Sequence, residues 1–157
     1  MDASIGITME RRRGVALTLS TILADEFVLQ TKTRNAHWNV QGRDFHNKHL
    51  FFESQYRELD TIIDEVAERI RSLGHFAPAS LKEYAALTHF SEQAPEDNDS
   101  LTYIKELLGD HESMILHLRE NIARVADEWH DAGTSDFVTG LMKEHEKMAW
   151  MLRAHLP

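Results

Sequence analysis

An all-α fold follows from three observations: four long helices form two antiparallel hairpins, and one long crossover carrying a short extra helix joins them. Pro78 and Pro95 fall in a single stretch and Pro157 is terminal, so the segments on either side carry no helix breaker. Apolar residues recur at steps of three and four through four long segments. Gly42, Gly74 and Gly133 sit where such a segment stops.

The first helix is expected from about Arg11 to Trp38, with Val15, Leu19, Ile22, Leu23 and Phe27 on one face, and it ends at Asn39-Val40-Gln41-Gly42. The second begins near Asp44. Its stripe of Phe52, Tyr56, Leu59, Ile63, Val66, Ile70 and Leu73 is the strongest periodic signal in the chain, and it stops at Gly74. Residues 75–99 are too long for a bare connection, and Ser80-Leu81-Lys82-Glu83 reads as a capping box that opens a short helix through about Leu87. A third long helix starts near Ser100, with Leu101, Ile104, Leu108, Ile115, Leu118, Ile122, Val125 and Trp129 inward, and Gly133 is expected to end it. Thr134 or Ser135 then caps a fourth, which buries Val138, Leu141, Met148 and Leu152. His111 interrupts the third stripe and reads as a hydrogen-bonded core residue. The methionines Met142, Met148 and Met151 read as core fillers.

The chain is one domain by length, residues 11–157, behind a flexible tail of residues 1–10. With 17 Lys+Arg against 26 Asp+Glu, its formal charge of −9 repels phosphates and attracts cations. No apolar run approaches the ~20 residues of a membrane span, and the N-terminus has no secretory pattern, so a cytoplasmic protein is expected. Cysteine is absent, which rules out disulfides and thiolate metal sites.

Placed at ~100° per residue, His49, Glu53, Asp64 and Glu68 fall in a band about 100° wide, centred about 120° from the apolar stripe of the second helix. His49/Glu53 and Asp64/Glu68 are each i,i+4 pairs able to share a cation. Their midpoints lie 15 residues apart on the sequence, about 22 Å along a helix, so one ion cannot touch both. Two copies of the helix packed antiparallel across a two-fold axis near Leu59 bring each pair opposite the other and form two equivalent sites. His37 joins the first pair because the turn near Gln41 returns the chain beside it. Each site then holds His37, His49 and Glu53 from one subunit and Asp64 and Glu68 from its partner. Two imidazoles with three carboxylates suit iron, with manganese or zinc as alternative occupants. Neither Glu-x-x-His nor His-Glu-x-x-His occurs anywhere in the chain, which counts against dimetal centres inside each bundle and against a common zinc peptidase.

The run His37-Trp38-Asn39-Val40-x-Gly42-x-x-Phe45-x-x-x-His49-x-x-x-Glu53, followed by Asp64-x-x-Ala67-Glu68-Arg69-Ile70-x-x-Leu73-Gly74, resembles the signature of the Dps family, the ferritin-like mini-ferritins of starved cells. The likeness continues through His130-Asp131-x-x-Thr134-x-Asp136 and Glu146-Lys147-x-x-Trp150-Met151-Leu152. The family commonly carries Asp where this chain has Glu53. The resemblance implies a ferritin-like four-helix bundle and a ferroxidase centre on His37, His49, Glu53, Asp64 and Glu68 between two-fold-related subunits. It also implies a hollow homo-dodecamer that oxidises Fe(II), preferably with hydrogen peroxide rather than dioxygen, and stores ferric mineral against oxidative damage. Trp38, beside His37, is an oxidisable ring that quenches stray radicals or a packing residue at the dimer contact. Asp131 and Asp136 correspond to acids that line the family's three-fold entry pores. The alternative is a DNA-condensing, nucleoid-associated protein. Arg11, Arg12 and Arg13 against Asp2 and Glu10 make a poor basic tail, so DNA binding is expected to be weak or absent.

Overall fold

In the computed structural model, which describes residues 3–93 and 95–157, five helices follow in order: α1 Met9–Asn39, α2 Phe45–Ser72, α3 Leu81–Leu87, α4 Ser100–Asp127 and α5 Ala132–Arg153. Helices α1 and α2 pack as one antiparallel hairpin and α4 and α5 as the other, while the short α3 lies against α1. No helix is long and apolar enough to cross a membrane, among the described residues. Part of the expected tail, residues 1–2, lies outside the described residues. Met9 and Glu10 already belong to α1, whose N-cap Thr8 accepts a hydrogen bond from the Arg11 amide.

The core is the union of the four apolar stripes. Leu19, Phe52, Leu59, Ile70, Ile104, Leu118, Val138 and Leu152 are all fully buried. Each buried Leu, Ile or Phe adds on the order of 2 kcal/mol of transfer free energy, so the bundle interior dominates the fold's stability. Helix α1 is buried on more than one side because the crossover covers it. Phe27 stacks on Tyr84 of α3 with ring centroids 4.4 Å apart, and Asp25, Glu26, Gln30, Thr33 and His37 are buried beside the apolar positions. Gly14 is required where α1 meets the end of α4, because a Cβ there would lie 2.5 Å from the ring of Trp129.

Gly42 and Gly74 stand at the expected stops with φ of +127° and +87°. The turn at Gly42 is tied to the start of the second hairpin. The Gln41 amide donates to the Asn98 carbonyl at 2.9 Å, and Ser100 Oγ donates to Asp44 Oδ2 at 2.9 Å. Ser80 and Glu83 form the expected capping box of α3, with Ser80 Oγ donating to Glu83 Oε2 and accepting from the Glu83 amide.

The connection between α4 and α5 differs from expectation. Helix α4 stops at Asp127, His130 takes the left-handed turn at φ +51°, and Gly133 lies inside the first turn of α5. The N-cap is Asp131 rather than Thr134 or Ser135: its Oδ1 accepts from the Thr134 amide at 3.0 Å. Arg69 of α2 reaches the same corner, donating to Thr134 Oγ1 from Nε at 2.9 Å and lying 3.4 Å from Asp131 Oδ1. Leu101, in the first turn of α4, is also more exposed than its stripe position predicts. Replacing Asp131 by Ala is expected to cost about 1–2 kcal/mol, from the lost cap and the unpaired guanidinium, and a urea denaturation midpoint measures it.

Candidate metal centre

Two imidazoles meet where α1 ends and α2 begins. The rings of His37 and His49 stack with centroids 3.8 Å apart. Each uses Nδ1 to donate to the other's backbone: His37 Nδ1 to the His49 carbonyl at 2.8 Å, and His49 Nδ1 to the His37 carbonyl at 2.8 Å. With Nδ1 committed as a donor, each ring keeps Nε2 as the free lone pair, which is the tautomer a metal ligand needs. Tyr56 packs edge-on to His37 at 5.2 Å and Arg34 lies over the Tyr56 ring, which fixes the pair from behind. The reciprocal bonds depend on the turn at Gly42, which brings the two helix ends side by side.

Glu53, one turn further along α2, is half-buried and ion-paired with Arg57 four residues on. That pairing draws its carboxylate away from the imidazoles, so within one chain these three ligands do not converge on one point. Asp64 and Glu68 lie further along the same unbroken helix, both exposed. Among the described residues neither makes a hydrogen bond or ion pair within the chain. Helix α2 is continuous from Phe45 to Ser72, so the separation of about 22 Å between the pairs stands. The structure thus presents two half-sites that one chain cannot close on itself.

The surroundings of the histidine half-site are apolar and open. Trp38 is 68 % exposed, and Phe45 and Leu50 are 45 % and 48 % exposed. Large apolar side chains left in water beside unfinished ligand sets are the mark of a surface meant to be covered.

The two acids near the start of α5 part company. Asp131 is 3 % exposed and engaged by Thr134 and Arg69, so the expectation that it lines a pore gives way to a structural role. Asp136, by contrast, is exposed. It lines a groove of about 370 Å³ between α2 and α5 with Glu58, Glu65 and Glu144.

Other polar groups were not legible in advance. Glu26 of α1, His145 of α5 and His111 of α4 form a fully buried chain: His145 Nε2 lies 2.8 Å from Glu26 Oε1, and its Nδ1 lies 3.0 Å from His111 Nδ1. The bonds are mutually consistent when His111 donates from Nδ1 to His145, and His145 donates from Nε2 to Glu26. His111 was expected in the core, but its partner was not. Burial first, and the unfavourable electrostatics of a second imidazole at His145, hold the His111 imidazole well below its ordinary 6.5. These groups run in a line and do not gather around a point. A different cluster does gather: Asp25, His89 and His117 place one ligand atom each within 4.8 Å of one another. Sequence spacing gave no sign of it, because its members lie on α1, on the crossover and on α4.

A family model described as the ferritin-like domain matches residues 17–157. The chain is 38% identical over 138 residues to DNA protection during starvation protein 2 of Bacillus anthracis, covering 88% of this chain and 93% of the relative. It is 40% identical over 153 residues to a low temperature-induced protein of Nostoc, covering 98% of this chain and 86% of the relative. Among solved structures, a Dps protein from Vibrio cholerae, described as a member of a broad superfamily of ferritin-like diiron-carboxylate proteins, matches with a TM-score of 0.91 at 31% identity, covering 100% of this chain and 99% of that one. DpsC from Streptomyces coelicolor matches with a TM-score of 0.94 at 26% identity, covering 100% of this chain and 91% of that one.

Proposed function

We propose, from the premise that the chain belongs to the Dps family of ferritin-like proteins, that it is a ferroxidase that oxidises Fe(II) at dinuclear sites shared between two subunits and stores the ferric product. One observation carries this reading. His37 and His49 each keep a free Nε2 at one end of α2, while Asp64 and Glu68 stand unpaired at the other end. An antiparallel pairing of two α2 helices completes both sites at once, with Glu53 released from Arg57 to the ion. Iron is here the substrate and cargo, with zinc or manganese as competitors for the same ligands.

Hydrogen peroxide is the preferred oxidant in this reading, with dioxygen second. Two Fe(II) ions each give up one electron, the O–O bond breaks, and the two oxygens leave as water after taking up two protons. Because both electrons arrive together, no hydroxyl radical is released. The carboxylates of Glu53, Asp64 and Glu68 favour Fe(III), and the neutral imidazoles retain Fe(II) before oxidation. Trp38, exposed beside His37, serves as apolar cover at the subunit seam and as an oxidisable ring for radicals that escape.

Storage requires a closed shell, and a homo-dodecamer built from two-fold dimers is the assembly we propose. Leu17, Phe76, Leu116 and Trp150, all more than half exposed in the single chain, support further contacts. Sizing chromatography with an anaerobic Fe(II) titration tests assembly and site together: two ions per subunit pair-site are expected, and a monomer without stoichiometric Fe(II) binding would overturn the proposal.

Asp136, with Glu58, Glu65 and Glu144 in the same groove, supports an acidic route for Fe(II), because a focused negative field raises the local cation concentration. Replacing Asp136 by Asn is expected to slow iron uptake severalfold at low salt and much less at high salt, in stopped-flow kinetics.

The DNA-condensing alternative gains nothing from the fold. Arg12, one of three basic residues near the N-terminus, is buried in α1 and donates to the Leu73 carbonyl at 3.1 Å. A gel shift at physiological salt is expected to show no submicromolar DNA binding at neutral pH, with at most a modest gain near pH 6 as histidines protonate.

A further inference from the structure

We propose that Asp25, His89 and His117 form a second, mononuclear site for a divalent transition-metal ion, zinc foremost, which clips the crossover onto the bundle. It is separate from the shared iron site and does not depend on the ferroxidase reading.

Three elements supply the ligands: Asp25 comes from α1, His89 from the crossover two residues beyond α3, and His117 from α4. Asp25 Oδ2 lies 3.0 Å from His89 Nδ1 and 4.0 Å from His117 Nδ1. An ion bound at about 2.0–2.1 Å holds neighbouring ligand atoms roughly 3.0–3.4 Å apart, so the two distances bracket the requirement and a small inward shift of His117 meets it.

The carboxylate is held for the task. Asp25 is 2 % exposed, and its Oδ1 is already occupied, accepting from Thr88 Oγ1 at 2.8 Å and from the His89 amide at 2.7 Å. These two bonds leave Oδ2 aimed at the imidazoles, the arrangement in which an outer partner orients a metal-binding oxygen. On the other side, His117 Nδ1 is buried with no hydrogen-bond partner. A buried nitrogen left in that state costs free energy that a metal bond returns. His89 gives up its Nδ1 proton to Nε2 or to solvent when the ion replaces the bond to Asp25.

The site opens on a polar cavity of about 230 Å³ that Glu120, one turn beyond His117, also lines. Water from this cavity completes the coordination. Two imidazoles and one carboxylate facing open positions take zinc or Fe(II), and at equal availability the general affinity order places zinc above Fe(II). Arg124 on the same cavity wall opposes a bare cation and favours a site whose charge Asp25 and Glu120 already offset.

The test uses the full-length assembled protein, stripped of metal and carrying Asp64→Ala and Glu68→Ala so that the shared iron site is disabled. Zn(II) is titrated against a coloured chelator. Tight binding of one ion per chain is expected, and His117→Gln in the same background should remove it. Thr88→Val, which touches no metal, should keep the stoichiometry and weaken affinity by about 10- to 100-fold. Co(II) in place of zinc should give the intense visible bands of a four- or five-coordinate imidazole site, lost in His89→Gln. Circular dichroism checks that each variant is folded. Zinc stoichiometry unchanged by His117→Gln, or no tight zinc binding before that substitution, would overturn the site. Anaerobic Fe(II) binding more tightly than Zn(II) would overturn the choice of zinc.

Discussion

Replacing Asp64 and Glu68 together by alanine is expected to abolish the fast phase of peroxide-driven Fe(II) oxidation while leaving the helices intact. Both side chains are exposed on α2, and among the described residues neither makes a hydrogen bond or ion pair that the substitution breaks. Alanine is the best helix former, so stability should change by no more than about 0.5 kcal/mol. Oxidation should suffer far more, because each shared site loses two of its three carboxylates. Only the slow background reaction of free Fe(II) should remain, and stopped-flow absorbance reads it directly. The sharing of ligands is tested by mixing this variant with one carrying His37→Ala and His49→Ala, through dissociation and reassembly. A mixed pair then contains one complete site and one reduced to Glu53 alone. Random equal mixing restores about one quarter of the wild-type sites. Sites confined to single chains would give no recovery, and full activity in the Asp64/Glu68 variant would refute the ligand assignment.

The second large effect concerns acid. His111 is neutral in the folded chain, because burial and His145 hold its imidazole well below the ordinary value, whereas the unfolded chain takes up that proton near 6.5. Below that pH the unfolded state binds more protons than the folded one. The stability due to the neutral buried ring is therefore fully present above about 6.5 and is lost as pH falls toward the folded value, at about 1.4 kcal/mol per pH unit. Urea midpoints measured from neutral pH down to about 5.5 should trace this decline. His111→Leu should flatten the slope by one proton. At neutral pH the same variant should be destabilised by about 1–3 kcal/mol, because His145 Nδ1 loses its partner in a dry core. An unchanged acid slope would exclude His111 as its source.

How much of this was readable from residues alone depended on the distance over which each signal acts. The stripe from Phe52 to Leu73 fixes a helix through local repetition, and the two pairs on its other face inherit their spacing from the same period. Gly42 and Gly74 announce stops because only a positive φ fits there. The turn before α5 departs from the glycine pattern because His130 takes the left-handed conformation, and Asp131 supplies the cap one turn earlier than Thr134 or Ser135. That cap also removes Asp131 from any pore. The buried chain of Glu26, His145 and His111 and the cluster of Asp25, His89 and His117 leave no trace in the sequence for a different reason. Their members are joined only by packing between helices, so no spacing along the sequence encodes them. The acidic pair Asp25-Glu26 illustrates this: adjacent in sequence, the two side chains reach different partners, one toward the crossover and one toward α5.

The uninterrupted run of α2 between Glu53 and Asp64 sets more than a separation. In the paired arrangement each subunit measures its neighbour against its own length of helix. One residue inserted between the pairs turns one half-site by about 100° and shifts it by about 1.5 Å relative to the other. A subunit altered in this way could not match an unaltered one at both sites at once, so a shell mixing the two kinds would contain impaired seams. In the proposed pairing the helix would work as a ruler by which subunits recognise their own kind, and selection on iron chemistry would guard its length as strictly as its ligands.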